Sequence, residues 1–409
     1  MRKRDFWIAA TLLVLVAGLG IGQYVITRTD AAQEGAKIQG PMFEVDPLWP
    51  KPLPNHWLLG STIGVWVDEQ DHVWIIHRSS ATLNANERGL EVNPPTGECC
   101  AGAPPILEFD QAGNLLRHWG GPGAGYEWPT SNHGIFIDHK GNVWIGGNGP
   151  GDAHVLKFTK DGKFLLQVGK ANARRVSGTT DKDAKYEGGS NDPVSFGRVA
   201  KIFVDARDNE AYISDGYLNK RVAVLDADTG KLKRYWGAYG ARPDDTNLGR
   251  YDPAAPAAKQ FRNPVHCADL ANDGLLYVCD RVNDRIQVFQ KDGKFVKEAF
   301  IAKQSLGEGS VWDVAFSKDP QQTYLYVSDG RNMKVRILRR STLEEVASFG
   351  DGGRQPGQFF GVHSIATDSK GNIYTTETYE GKRLQRFIYK GVGAITNKNQ
   401  GVIWPRAAR

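Results

Sequence analysis

One four-strand unit recurs along most of this chain, and it constrains the fold more than length does. The unit has an apolar strand, a polar turn that contains Gly in three copies, a second apolar strand, a polar loop, a third strand, a DG-type turn and a fourth strand. The clearest copy runs GIFIDHKGNVWIGG and then HVLKFTKDGKFLLQVG, residues 134–169. Others occupy 201–237 and 267–300, and three more open at 64–78, 311–330 and 363–377. Within a copy the apolar positions have period two, and Gly, Asn and Asp separate the runs, as hairpins require. A lone blade cannot bury both faces, so six such copies are expected to stack around an axis as an all-β, six-bladed β-propeller. This domain is expected over 43–409, after a linker at 31–42. The last copy is short of a strand, and FEVDPLWPKPLPNHWLLG (43–60) is expected to supply it and close the ring. Polar stretches at 79–105, 170–197 and 238–263 are too long for simple turns and are expected as loops on one rim.

Composition fits this architecture. The chain has 47 Gly, 20 Pro, 11 Trp, 14 Tyr and 17 Phe, a balance suited to short strands and turns. The net charge of +5 is neither large nor clustered, which removes the case for nucleic-acid binding. Four Cys in 409 residues exclude a disulfide-dense miniprotein. No GxSxG, HExxH, P-loop or dinucleotide fingerprint is present, and GGPGAG (120–125) opens no helix.

The N-terminus is an address. MRKRD precedes an uncharged apolar run from Phe6 to Ile26, followed by Thr29-Asp30-Ala31. Residues 1–30 are therefore expected to be either a cleaved secretory signal or a retained transmembrane anchor with its basic end cytoplasmic. Both readings export the protein to the periplasm, the extracellular space or the outer membrane face. Contact with a membrane is expected only through this segment.

Three of the nine His share one register. His133, His266 and His363 each lie eight residues ahead of a turn glycine, namely Gly141, Gly274 and Gly371. They fall in blades 2, 4 and 6, so the innermost strands would bring three imidazoles together near the axis. Blade 1 has Ile63 there, so the repeat itself does not demand His. Three imidazoles with an open position make a catalytic zinc site; the bland alternative is that each His packs at its strand entry. His56, His72, His77, His118, His139 and His154 lack this spacing and are expected in surface or structural roles.

SDGYLNKRVAVL (214–225), FRNPVHCADL (261–270), CDRVNDRIQVF (279–289) and SNHGIFID (131–138) resemble the NHL-repeat propeller of the peptidyl-α-hydroxyglycine α-amidating lyases. WIIHRSS (74–80) resembles the segment carrying that family's active-site arginine. The resemblance covers roughly residues 43–390. It implies that His133, His266 and His363 bind zinc, that Tyr217 is the catalytic base, and that Arg78 and Arg281 hold the substrate carboxylate or the reacting oxygens. The implied reaction splits an α-hydroxyglycine-type amide into amide and glyoxylate. Two departures count against the family's structural calcium: Gly361 replaces a Met before the third His, and Ser364 replaces an acidic ligand after it. Asp215, Asn219 and Arg221, and likewise Asp280, Asn283 and Arg285, are expected to tie turns, with Tyr217 and Arg281 in the variable slots of that frame.

Cys99 and Cys100 are adjacent, leaving disulfide, metal ligation and free thiols open, while Cys267 and Cys279 could face each other across a hairpin. Two alternatives stand beside the lyase. One is a non-enzymatic NHL propeller whose rim binds a peptide, glycan or protein. The other is a calcium-dependent lactonase or esterase, a class that wants acidic and amide ligands where this chain has His. The lyase reading takes a small-molecule or peptide substrate.

Overall fold

The computed structural model describes residues 38–173, 189–397 and 401–405. The expected signal or anchor at 1–30 lies outside the described residues, as does part of the 170–197 loop.

Six four-stranded antiparallel sheets succeed one another along the chain. Their innermost strands are Thr62–Val67, Asn132–Ile137, Val199–Asp205, Val265–Leu270, Asp313–Phe316 and Val362–Thr367. Among the described residues the only helical segments are short 3-10 turns. The inner strands are almost wholly buried, whereas the outermost ones alternate, as in Leu115–Trp119 and Phe164–Gly169. This follows from position, because an outer strand has one face towards solvent and needs only every second residue apolar.

Six apolar clusters cement the ring, one between each pair of neighbouring blades. Polar frames sit at both ends of the sheets. On one face, the first hairpin turns are organised by Asp68, Asp138 and Asp368. Each accepts two turn amides and then a ring donor two strand positions on: Trp74 Nε1 at 3.1 Å, Trp144 Nε1 at 2.9 Å and Tyr374 Oη at 3.0 Å. The glycines in these turns matter, since Gly141 and Gly371 have φ of 74° and 84°. On the other face, Asp215 Oδ2 accepts from Asn219 and Arg221, both at 2.7 Å, and Asp280 Oδ2 accepts from Asn283 and Arg285 at the same distances. Asp329, Asn332 and Arg336 repeat the clamp in blade 5. The expected tying role of these residues holds.

Ring closure differs from expectation in extent. The strand completing blade 6 is Gln39–Asp46, paired antiparallel with Arg383–Ala394. It starts before residue 43 and stops well short of 60. Pro47, Pro50, Pro52 and Pro54 account for the stop, since none can donate to a ladder. Further on, Trp57–Leu58 pairs instead with Ala101–Gly102 of the first long loop. Both cysteine pairs are disulfides: Cys99–Cys100 within that loop, and Cys267–Cys279 across the first hairpin of blade 4.

His77 anchors the same loop. Its Nδ1 accepts from Gly60 N at 3.0 Å and Ser79 N at 3.1 Å, so Nε2 carries the proton and donates to Pro104 O at 2.9 Å. Burial lowers its pKa from 6.5 to about 4.

Three outcomes are expected. Phe43 is 3% exposed and meets the rings of Tyr326, Phe349 and Tyr389, so Phe43→Ala should cost about 3–5 kcal/mol in chemical denaturation. Leu48→Ala at an 84% exposed position should change stability by less than about 0.5 kcal/mol. For His77 the unfolded chain takes up a proton below pH 6.5 and the folded chain does not until about 4. Its contribution is thus complete above that window and is lost as pH falls. Between pH of about 7 and about 5, the stability gap between wild type and His77→Gln should shrink by about 2 kcal/mol.

Candidate metal centre

The inner strands deliver three imidazoles to one point. The pairing register shifts at the histidine position of blades 2, 4 and 6, between His133 and Ile135, Val265 and Cys267, and Val362 and Ile365. Such a bulge re-aims side chains that strict alternation would place otherwise. Ring centroids lie 5.2 Å apart for His133 and His266, 4.8 Å for His133 and His363, and 4.9 Å for His266 and His363. One ligand nitrogen from each lies within 4.8 Å of the others.

Each ring is held by the blade that follows. His133 Nδ1 donates to Ala200 O at 2.6 Å, His266 Nδ1 to Trp312 O, and His363 Nδ1 to Ile63 O at 2.6 Å. Ala200, Trp312 and Ile63 are the corresponding positions of blades 3, 5 and 1. A carbonyl accepts only, so Nδ1 bears the proton and each Nε2 presents a lone pair. Burial is the largest influence on all three and holds their pKa values well below 6.5. The neighbouring imidazoles and the charges of Arg78 and Arg281 act in the same direction. The three rings are therefore neutral, the form that ligates metal.

Tyr217 comes from the loop after the second strand of blade 3. Its Oη is 2.9 Å from His133 Nε2 and 3.0 Å from His266 Nε2. A hydroxyl has one proton, so it can donate to only one of these lone pairs. Donor atoms outnumber protons here, and the donor set fits a cation. Three imidazoles with a further position suit zinc better than calcium, which prefers oxygen.

The cationic wall comes from equivalent turns of other blades. Arg281 is 7% exposed, lies over Trp312 at 4.4 Å and donates from Nη1 to Tyr217 Oη at 3.4 Å. Arg78 donates from Nη2 to Asn148 Oδ1 at 2.9 Å. The buried Nε of each guanidinium has no hydrogen-bond partner among the described residues. Two such cations beside neutral imidazoles favour an anionic ligand. The structure thus gathers His133, His266, His363, Tyr217 and Arg281 in direct contact, with Arg78 beside them.

Sequence reasoning missed four neighbours. Trp312 supplies both a ring beneath Arg281 and the carbonyl that holds His266. Tyr379 bonds Glu308, whose carboxylate is 4.0 Å from Arg281 Nη2, and Asn148 seats Arg78. Trp312 escaped the register because the blade 5 turn SKDPQQT lacks the Gly that marks it in blades 2, 4 and 6. Asn148 and Tyr379 occupy the same turn as Tyr217 in their own blades.

No family model matches the chain. NHL repeat-containing protein 3 of Mus musculus is 27% identical over 328 residues, covering 78% of this chain and 74% of that protein. Peptidyl-glycine alpha-amidating monooxygenase B of Xenopus laevis is 29% identical over 167 residues, which is 41% of this chain but 16% of that protein. Among solved structures, a protein of unknown function from Bacteroides thetaiotaomicron aligns over 87% of this chain and 76% of its own, at 13% identity and a TM-score of 0.50. Sequence and architecture agree that this chain is a six-bladed β-propeller with homologues among the NHL repeat-containing proteins.

Proposed function

We propose that the protein is an exported zinc-dependent lyase that splits an α-hydroxyglycine-type amide into amide and glyoxylate. One observation carries the reading: Tyr217 Oη stands between two imidazole lone pairs with a single proton to offer, beside a third neutral imidazole and two arginines. The partial similarity to an amidating monooxygenase supports it. So do two disulfides, which suit the oxidising compartment expected from the N-terminal segment.

His133, His266 and His363 would hold the ion. Bound there, zinc would act as a Lewis acid, lowering the cost of deprotonating a nearby hydroxyl. Arg78 and Arg281 would clamp the substrate carboxylate, since a guanidinium offers paired donors to both oxygens. Tyr217, acting as the phenolate after giving up its own Oη proton to solvent, would take the proton of the carbinol hydroxyl. The O–H electron pair becomes the carbonyl π bond of glyoxylate, the C–N bond breaks, and the proton passes from Tyr217 Oη to the leaving amide nitrogen. Trp312 would keep Arg281 in place and limit water on that side.

The rival is a binding propeller without catalysis, favoured by the longer match to NHL repeat-containing protein 3. The test is glyoxylate release from an α-hydroxyglycine peptide by zinc-loaded protein. Tyr217→Phe should lower kcat about 100-fold or more, as loss of a general base does. Arg78→Ala should raise KM about tenfold or more, reflecting a lost charge-assisted contact. No glyoxylate from wild type, with unaltered peptide retained on the protein, would favour the binding propeller.

A further inference from the structure

Just below the imidazoles the axis holds a second polar layer. Lys201 follows Ala200 on blade 3, and its ammonium reaches Asp269 Oδ1 of blade 4 at 2.9 Å and Oδ2 at 3.0 Å. It also reaches Asp313 Oδ1 of blade 5 at 2.5 Å. Asp313 Oδ2 accepts from Ser364 Oγ of blade 6 at 2.6 Å and from Ile365 N at 3.2 Å. Ser364 Oγ in turn accepts from Val65 N of blade 1 at 3.4 Å. The chain of contacts crosses five blades. Lys201, Asp269, Asp313 and Ser364 are 5%, 3%, 2% and 5% exposed.

Two buried carboxylates require a cation, because an uncompensated buried charge is strongly destabilising. Calcium would need six to eight oxygens at about 2.3–2.6 Å around one centre. Here the carboxylate oxygens already converge on a nitrogen. Between this layer and the imidazoles there remains a void of about 10 Å³, lined by Gly134, Lys201, Asp313 and Ser364 as well as the three His. Such a space barely holds one water. A side chain at Gly134 would meet Ala200 O at 2.6 Å, so the position admits only glycine.

We propose that the Lys201 ammonium is the resident cation of the propeller axis, standing where a structural divalent ion would otherwise have to sit. The ring is therefore held together at its centre without calcium. The same layer closes the channel beneath the imidazoles, so ligands reach the metal centre only from the Arg78 and Arg281 rim. On the opposite face lies a cavity of about 700 Å³, walled by Trp66, Phe136 and Phe203.

The test compares thermal unfolding of full-length, zinc-loaded protein with and without added calcium, which does not depend on any lyase activity. Wild type should show no calcium-dependent shift and no stoichiometric calcium in calorimetric titration. Lys201→Met should melt roughly 10 °C lower, as expected for breaking a buried ion pair in a large domain. The double variant Lys201→Met with Asp313→Asn removes a negative charge together with the positive one, and it should recover part of that loss. Stoichiometric calcium binding by wild type, with a raised Tm, would overturn the proposal. So would a Lys201→Met protein as stable as wild type, or a double variant no more stable than the single one. If Lys201→Met does not fold, the wild-type titration and the double variant still decide.

Discussion

Everything at the axis depends on one repeated hydrogen bond, from an even-blade imidazole Nδ1 to the carbonyl of the next odd blade. The donor–acceptor pairs are His133 with Ala200, His266 with Trp312, and His363 with Ile63. Each bond fixes a tautomer, sets a ring angle and links two blades at their closest approach. A group outside the ligand set that fixes ligand orientation is a general feature of metal sites. Here it is built from backbone, so no side chain can be lost from it by mutation. The price is rigidity, because a shift of one blade moves an imidazole held by its neighbour.

Charge is arranged in layers along the same axis. Neutral imidazoles occupy the middle, kept unprotonated chiefly by burial. Above them stand Arg78 and Arg281, short of anionic partners apart from Glu308 at 4.0 Å from the latter. Below them Lys201 is matched to Asp269 and Asp313. The upper cations are therefore available to a ligand and the lower one is not. That asymmetry sets the two faces of the propeller apart.

Much of this was legible because a β-blade writes itself as alternation with Gly at the turn. Gly141, Gly274 and Gly371 mark the register from which His133, His266 and His363 stand out. Blades 1, 3 and 5 lack that glycine, so Ala200 and Trp312 could not be aligned the same way, and a carbonyl role leaves no residue-type signal. The Lys201 layer was hidden for another reason: Lys201, Asp313 and Ser364 share the position after the imidazole register, Asp269 lies two residues further along its strand, and only closure of the ring assembles them. The closing strand was placed too far along, since QGPM at 39–42 carries no apolar alternation although its backbone pairs through Gln39. The turn clamps of Asp215 and Asp280 were legible because they recur within a fixed local spacing.

The central claim is that the three converging imidazoles hold a metal ion. Elemental analysis of protein stripped with chelator, reloaded with zinc and desalted tests it most directly. Wild type should retain one zinc per chain, and His133→Ala should retain little under the same wash while remaining folded. Equal and poor retention by wild type and variant would contradict the account, and the histidines would then be structural.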